Sequence, residues 1–141
     1  MAYESQYPTR EPGFGQRAGG FQMTEEQQRA ITDLQNCYSI LHESLMYCLD
    51  MGGKHIGPRH ISLMLDTAEL CKAETSLLFH SSEVSGRLAE VVAEICSRCS
   101  TSLEQFGEDP QMKAAYDACH RAAESCRRII GGTFQTPSAG I

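Results

Sequence analysis

The amino-acid sequence predicts an all-α protein, an antiparallel up-down-up-down four-helix bundle. Its 141 residues, 41% of them hydrophobic, are enough for one domain with a single core. Four of the five Pro and most of the twelve Gly lie before Arg59 or after Ile130, so the middle of the chain is almost free of helix breakers. Four segments with a helical hydrophobic period, joined by short links, fit a bundle better than any fold that contains a sheet.

The two ends of the chain differ in composition from the middle. Residues 1–22 are polar, rich in Gly and Pro, and without a hydrophobic period. We expect this segment to be a disordered tail, and residues 133–141 to form a second, shorter one. The expected bundle therefore covers residues 23–132.

The first two helices have clear boundary signals. Helix 1 is predicted to begin at the N-cap Thr24, followed by acidic residues that favour the helix dipole, and to end near Asp50. Pro58 lies near the start of helix 2, whose hydrophobic period extends from Ile61 to about His80.

The last two helices are bounded by capping residues and glycines. Ser81–Glu83 is a capping signal for helix 3, which is predicted to end at Gly107. Asp109 followed by Pro110 caps helix 4, which is predicted to end at Gly131. In this topology the first and third connectors lie at the same end of the bundle, which we call the mouth.

Charge and hydropathy exclude several classes of partner. The net charge of −6 leaves no basic stripe for a phosphate backbone, so we expect no nucleic-acid partner. No stretch approaches about eighteen apolar residues, and residues 1–22 have no apolar core of a secretion signal, so we expect a cytoplasmic protein without a membrane span. Reducing compartments keep thiols free, and an odd number of cysteines cannot pair completely within one chain. The seven cysteines are therefore predicted to be thiols or metal ligands.

All seven cysteines fit one spacing, C-x3-C-x2-C-x3-C, which we call the frame. Its four positions fall within about 60° of one helix face, so each helix is predicted to turn them toward the bundle interior. Helix 2 has one cysteine, which fits the frame in several ways; it is placed here beside Thr67, Glu74 and Leu78. The frame positions that hold cysteine, seven of sixteen, are Cys37, Cys48, Cys71, Cys96, Cys99, Cys119 and Cys126.

Three segments resemble a known family. HIGPRHISLMLDTAELC, AEICSRCSTSLEQFGEDPQMKAA and YDACHRAAESCRRI are similar to the second, third and fourth helices, with their connectors, of the four-helix-bundle copper storage proteins. The resemblance extends over about residues 31–130. It implies a homo-oligomeric protein that stores copper(I) on inward-facing thiolates. The chain departs from the family frame at six positions, which implies a reduced capacity: Leu41, Ser44, Val92, Leu103, Ala115 and Ala122.

The chemistry of the cysteines supports the same ion independently of the resemblance. Thiolate is a soft ligand that suits copper(I), and a bundle interior excludes water. Buried thiolates need cations, so metal loading should displace protons. Met51, His55 and His60, near the mouth, are candidate entry ligands; the alternative is that methionines fill core gaps and connector histidines cap helices.

The helix rise of about 1.5 Å per residue predicts where the metal lies. Counted from the mouth, Cys48 is about 3 Å deep, whereas Cys37 is near 20 Å and Cys126 near 24 Å. The other four cysteines lie between these depths, at roughly 10 to 17 Å from the mouth. We expect this group to form one compact principal site: Cys71, Cys96, Cys99 and Cys119.

Other functions are less well supported by the sequence. Cys96 and Cys99 form one C-x-x-C, but no second such pair and no strand-turn-helix context support zinc or redox chemistry. A di-iron carboxylate bundle needs Glu-x-x-His on two helices, and the sequence contains none. We therefore expect no enzyme. The alternative function is a degenerate bundle that has lost copper storage and acts as a ligand-sensing or protein-interaction module.

Overall fold

The computed structural model describes residues 23–132 and contains four α-helices in that range, without a strand. The predicted tails, residues 1–22 and 133–141, lie outside the described residues. Two short 3₁₀ helices, Gly53–Ile56 and Glu104–Phe106, lie in the first and third connectors. The α-helices are α1 Glu25–Met51, α2 Pro58–Phe79, α3 Ser85–Leu103 and α4 Pro110–Gly132.

The four helices pack as a square. Helix α1 packs against α2 and α4, and α3 packs against the same two helices. The pairs α1–α3 and α2–α4 face each other across the interior without close backbone contact. Sequence neighbours are therefore spatial neighbours, as in the predicted up-down-up-down bundle.

Two of the predicted caps are present. Thr24 and Gln27 form a capping box at the start of α1, in which each side chain accepts a hydrogen bond from the other residue's backbone N–H, at 3.1 and 3.0 Å. At the start of α4, Oδ1 of Asp109 accepts hydrogen bonds from the backbone N–H groups of Gln111 and Met112, at 3.0 and 3.2 Å. Both caps could be predicted from the sequence because each one satisfies backbone N–H donors only a few residues away.

The predicted cap of helix 3 was wrong. Helix α3 begins at Ser85, after Val84, with no side-chain cap. The serines at 81 and 82 instead belong to the turn that ends α2: the backbone N–H of Ser82 donates to the carbonyl of Leu77 at 2.9 Å, and Ser81 has a φ of 48°. The hydroxyl of Ser82 accepts a hydrogen bond from the backbone N–H of Val84 at 3.3 Å, so its side chain bonds to the turn before α3 and not to an N–H group within the helix.

None of the helices within residues 23–132 combines the length and the apolar character that crossing a membrane requires.

Candidate metal centre

The frame describes the interior of the bundle. All sixteen frame positions are buried, including Thr67, Glu74 and Leu78 of helix α2, where the sequence alone left the placement open. All seven cysteines are fully buried free thiols. The prediction that the frame positions point inward is confirmed.

Four helices bring thiols together halfway along this interior. The Sγ atoms of Cys37, Cys71 and Cys96, from α1, α2 and α3, all lie within 4.8 Å of one another. Cys71 Sγ is 3.7 Å from Cys96 Sγ, and Cys119 of α4 places its Sγ 3.8 Å from Cys37 Sγ. Cys99 interacts with Cys119. We call these five residues the central cluster.

The central cluster differs from the predicted site by one residue. The depth count separated Cys37 from the middle group, whereas in the structure Cys37 contacts thiols from the other three helices. The count placed Cys37 only about 3 Å deeper than Cys71, a difference that still allows the two side chains to meet. The predicted group of thiols is close together, with Cys37 at its centre, and its binding of metal stays a prediction.

The thiols of the central cluster have unequal acidities. Hydrogen-bond contacts with Cys119, Cys71 and Cys96, in that order, lower the pKa of Cys37 well below its usual range, against the opposing effect of burial. The same contacts with Cys37 and the burial of the site raise the pKa values of Cys71, Cys96 and Cys119. Cys37 is therefore the thiol of the cluster that these contacts favour as a thiolate, whereas they favour the protonated form of Cys71, Cys96 and Cys119.

A second group of soft donors lies nearer the mouth. Cys48 Sγ is 3.7 Å from His60 Nε2 and 3.7 Å from Met112 Sδ. These three side chains come from α1, α2 and α4, and all are buried. We call them the mouth site. A thiolate, an imidazole nitrogen and a thioether are all ligands that copper(I) accepts.

His60 is held in place by its surroundings. Its Nδ1 lies 3.3 Å from Ser102 Oγ, and its ring lies against Phe106, with centroids 4.7 Å apart. Burial, and secondarily the charge of His55, lowers the pKa of His60, which favours the neutral imidazole at pH 7. When Nδ1 carries the proton, Nε2 directs its lone pair toward Cys48.

The other two predicted entry ligands occupy different surroundings. His55 Nε2 lies 3.2 Å from Oδ2 of Asp109, and the same oxygen accepts a hydrogen bond from Tyr47 at 2.8 Å. This network ties the first connector to the start of α4. Met51 is 53% exposed at the end of α1, outside the buried donors.

Met112 is one of the methionines that the sequence places near the mouth, and the frame extends to it. Extending the frame three residues upstream in α4, from Ala115, reaches Met112. In α2, Met64 lies three residues before the frame position Thr67, and His60 lies four residues before Met64. All three of Met112, Met64 and His60 are buried. The inward face thus continues toward the mouth with imidazole and thioether donors in place of thiols.

The sequence matches the copper storage protein family over residues 23–131. The chain belongs to this family. Family membership, together with the soft donors of the core, identifies copper(I) as the ion that the chain binds.

Two solved structures are similar to this copper storage family member. The Nmul_A1745 protein from Nitrosospira multiformis is 32% identical, with a TM-score of 0.71 over 75% of this chain and 95% of that one. The Cu(I)-bound copper storage protein BsCsp3 is 21% identical, with a TM-score of 0.70 over 75% of this chain and 99% of that one. No curated protein matches the sequence.

Proposed function

We propose that this protein stores copper(I) in the cytoplasm, on the thiolates of the central cluster, at a reduced capacity. The observation that carries the proposal is the approach of Cys37, Cys71 and Cys96, whose Sγ atoms lie within 4.8 Å of one another. Copper(I) accepts two or three thiolates, so three sulfurs at this spacing need only small side-chain movements to hold an ion. BsCsp3, which shares the fold, was solved with Cu(I) bound.

The composition of the frame supports the reduced capacity. Nine of its sixteen positions are not cysteine, and residues such as Leu41, Val92 and Leu78 fill the interior with apolar side chains. These residues separate the central cluster from the other thiols. With two or three thiolates per ion, and some thiolates shared, we expect roughly two to six copper ions per chain.

The mouth site gives the ion a path inward. Cys48, His60 and Met112 are the first buried soft donors below the mouth, and copper(I) bound there exchanges with the central cluster. Met51 adds an exposed thioether outside them. His55 is bound to Asp109, so its role in entry is to keep the connector in place.

The remaining features of the proposal are a storage role without catalysis and assembly into a homo-oligomer. Each of the thiols is fully buried, which suits retention of an ion better than reaction with an external substrate. Leu49, Leu65 and Val91 are exposed apolar side chains on three different helices, and burial of such residues between copies would favour association.

The proposal is tested by titrating copper(I) into reduced protein, without oxygen, against a strong competing chelator. We expect the protein to withhold roughly two to six ions per chain from the chelator. A chain that withholds none would instead be the degenerate bundle that has lost storage. Sedimentation of the same samples tests the homo-oligomer, and fractionation of the native cells tests the cytoplasmic location.

A further inference from the structure

Ser102 contacts the ring nitrogen of His60 that does not face Cys48. Nδ1 of His60 lies 3.3 Å from Ser102 Oγ, while Nε2 lies 3.7 Å from Cys48 Sγ. The contact joins the first turn of α2 to the last turn of α3. The two ring nitrogens of a histidine are distinct, and the hydrogen bond made by one of them decides whether the other can bind a metal.

The Ser102 hydroxyl is placed to accept a proton from His60. Its oxygen accepts a hydrogen bond from Gln105 Nε2 at 3.3 Å, and the same amide nitrogen donates to the Ser102 carbonyl at 2.9 Å. A hydroxyl oxygen has two lone pairs, so it can accept from Gln105 and from a protonated Nδ1 together. The backbone carbonyl of Gln105 in turn accepts a hydrogen bond from Lys54 Nζ at 2.9 Å, which ties this end of α3 to the first connector.

Packing holds the His60 ring between Ser102 and Cys48. His60 is buried, and its ring lies against Phe106, with centroids 4.7 Å apart and planes inclined by 52°. Turning the ring by half a turn would place carbon atoms opposite both Ser102 Oγ and Cys48 Sγ, and both contacts would be lost. The two contacts therefore favour the same orientation of the ring.

We propose that Ser102 is the positioning residue of the mouth site: its hydroxyl accepts a hydrogen bond from Nδ1–H of His60 and so leaves Nε2 as the ligand that faces Cys48. This inference rests on the proposed entry of copper(I) at the mouth site, and Ser102 itself does not touch the ion. A hydrogen-bond acceptor on the second nitrogen of a metal-binding histidine sets its tautomer and the direction of its ring. Without the hydroxyl, the proton can lie on either nitrogen, and the fraction of molecules with Nε2 open to copper falls.

The test compares Ser102→Thr with Ser102→Val, two variants of nearly the same shape that differ by one hydroxyl group. Copper(I) transfer from a coloured chelator, followed by stopped flow, should give Ser102→Thr a rate within about twofold of the wild type and Ser102→Val a rate about fivefold lower. Since threonine and valine have similar helix propensities, damage to the fold would slow both variants alike. Equal rates for the two variants, fast or slow, would overturn the proposal.

A double variant tests whether Ser102 acts through His60. In a chain that already carries His60→Ala, adding Ser102→Val should leave the uptake rate within about twofold of His60→Ala alone, because no ring is left to orient. If Ser102→Val slows uptake by the same factor with and without His60, its effect does not pass through the imidazole, and the positioning role is refuted.

A measurement on the metal-free chain separates this inference from copper entry. Nitrogen-15 NMR of histidine distinguishes a protonated ring nitrogen from an unprotonated one. We expect His60 to carry its proton on Nδ1 in the wild type and in Ser102→Thr, and to show both tautomers in Ser102→Val. A proton on Nε2 in the wild type, or the same spectrum for Ser102→Thr and Ser102→Val, would overturn the proposal. If the expected spectra are found but His60→Ala takes up copper at the wild-type rate, entry at the mouth site is refuted and the role of Ser102 in setting the tautomer stands.

Discussion

The central cluster and the mouth site offer copper two different environments. The central cluster offers only sulfur donors, five thiols from four helices. The pKa of Cys37 is lowered there, and that of Cys71 is raised. The mouth site has one thiol, and its other donors, His60 and Met112, bind a metal without losing a proton. Charged, shared thiolates favour tight retention, whereas mostly neutral donors favour exchange. The proposed storage and the proposed passage of copper thus use one inward face.

The largest effect is expected from removing the central cluster. Replacing its five cysteines by Ser should abolish tight copper binding and leave at most one weakly held ion at the mouth site. Replacing all seven cysteines should remove copper entirely, while circular dichroism shows a helical bundle, because the apolar side chains of Ile31, Leu34 and Ile129 still fill the core. Each lost thiol costs on the order of 1 kcal/mol in packing. Copper that co-elutes with the seven-fold variant in gel filtration would show that histidines and methionines, and not the cysteines, hold the ion.

The two regions should also differ in their dependence on pH. Copper(I) binds thiolates, and Cys71, Cys96 and Cys119 have raised pKa values, so each must lose a proton that the metal-free cluster holds at pH 7. At pH values below those pKa values, the copper(I) affinity of the central cluster should rise with pH. The expected rise is up to about tenfold per pH unit for every proton that copper displaces. Cys37, with its lowered pKa, should add no such dependence.

Competition titrations between pH 6.5 and 8.5, with a pH-indicator dye to count released protons, measure this dependence. Since the mouth site has a single thiol, the five-cysteine variant should release no more than about one proton per copper bound. A pH-independent affinity for the wild-type chain would show that the central cluster is already ionised and would remove the distinction between the two regions.

A smaller effect is expected at the mouth site, in rate more than in capacity. Cys48→Ser and His60→Ala should each slow copper uptake about tenfold, equivalent to about 1.4 kcal/mol in the barrier, and reduce the capacity by at most one ion. Stopped-flow transfer of copper(I) from a coloured chelator measures the rate. The control is His80→Ala, because His80 is exposed at the opposite end of the bundle. If either mouth variant takes up copper at the wild-type rate, entry uses another route.

The fold could be predicted from the sequence because its signals act over short distances. The caps at Thr24 and Asp109 need only backbone groups within the next three residues. The inward direction of the frame needs only the helical period, and it held even for Glu74, a residue that composition alone would place at the surface. The cap predicted at Ser81–Glu83 failed because these residues form the turn between the two helices, and α3 begins only at Ser85.

The site was less predictable because its members come from different helices. Spacing along α1 places Cys37 on the inward face but does not fix how far α1 slides relative to α3 and α4, which depends on packing between helices. The depth count left Cys37 out of the cluster that it joins, because a count along single helices does not show which side chains meet across the interior. The value of Met112 as a donor likewise depends on the approach of Cys48 from another helix.

The smallest effect is expected from the network that holds the mouth together. Tyr47→Phe removes the hydrogen bond from the Tyr47 hydroxyl to Asp109 Oδ2, at 2.8 Å, and leaves the ring in place. Asp109 keeps its contact with His55 and its bonds to the start of α4, so the loss should be about 1 kcal/mol in the free energy of unfolding, measured by urea denaturation. If this network only positions the connector, copper capacity and the rate of uptake should both stay at the wild-type values. A change in uptake as large as that of His60→Ala would instead make Asp109 and His55 part of the entry path, and the mouth would then extend beyond its three soft donors.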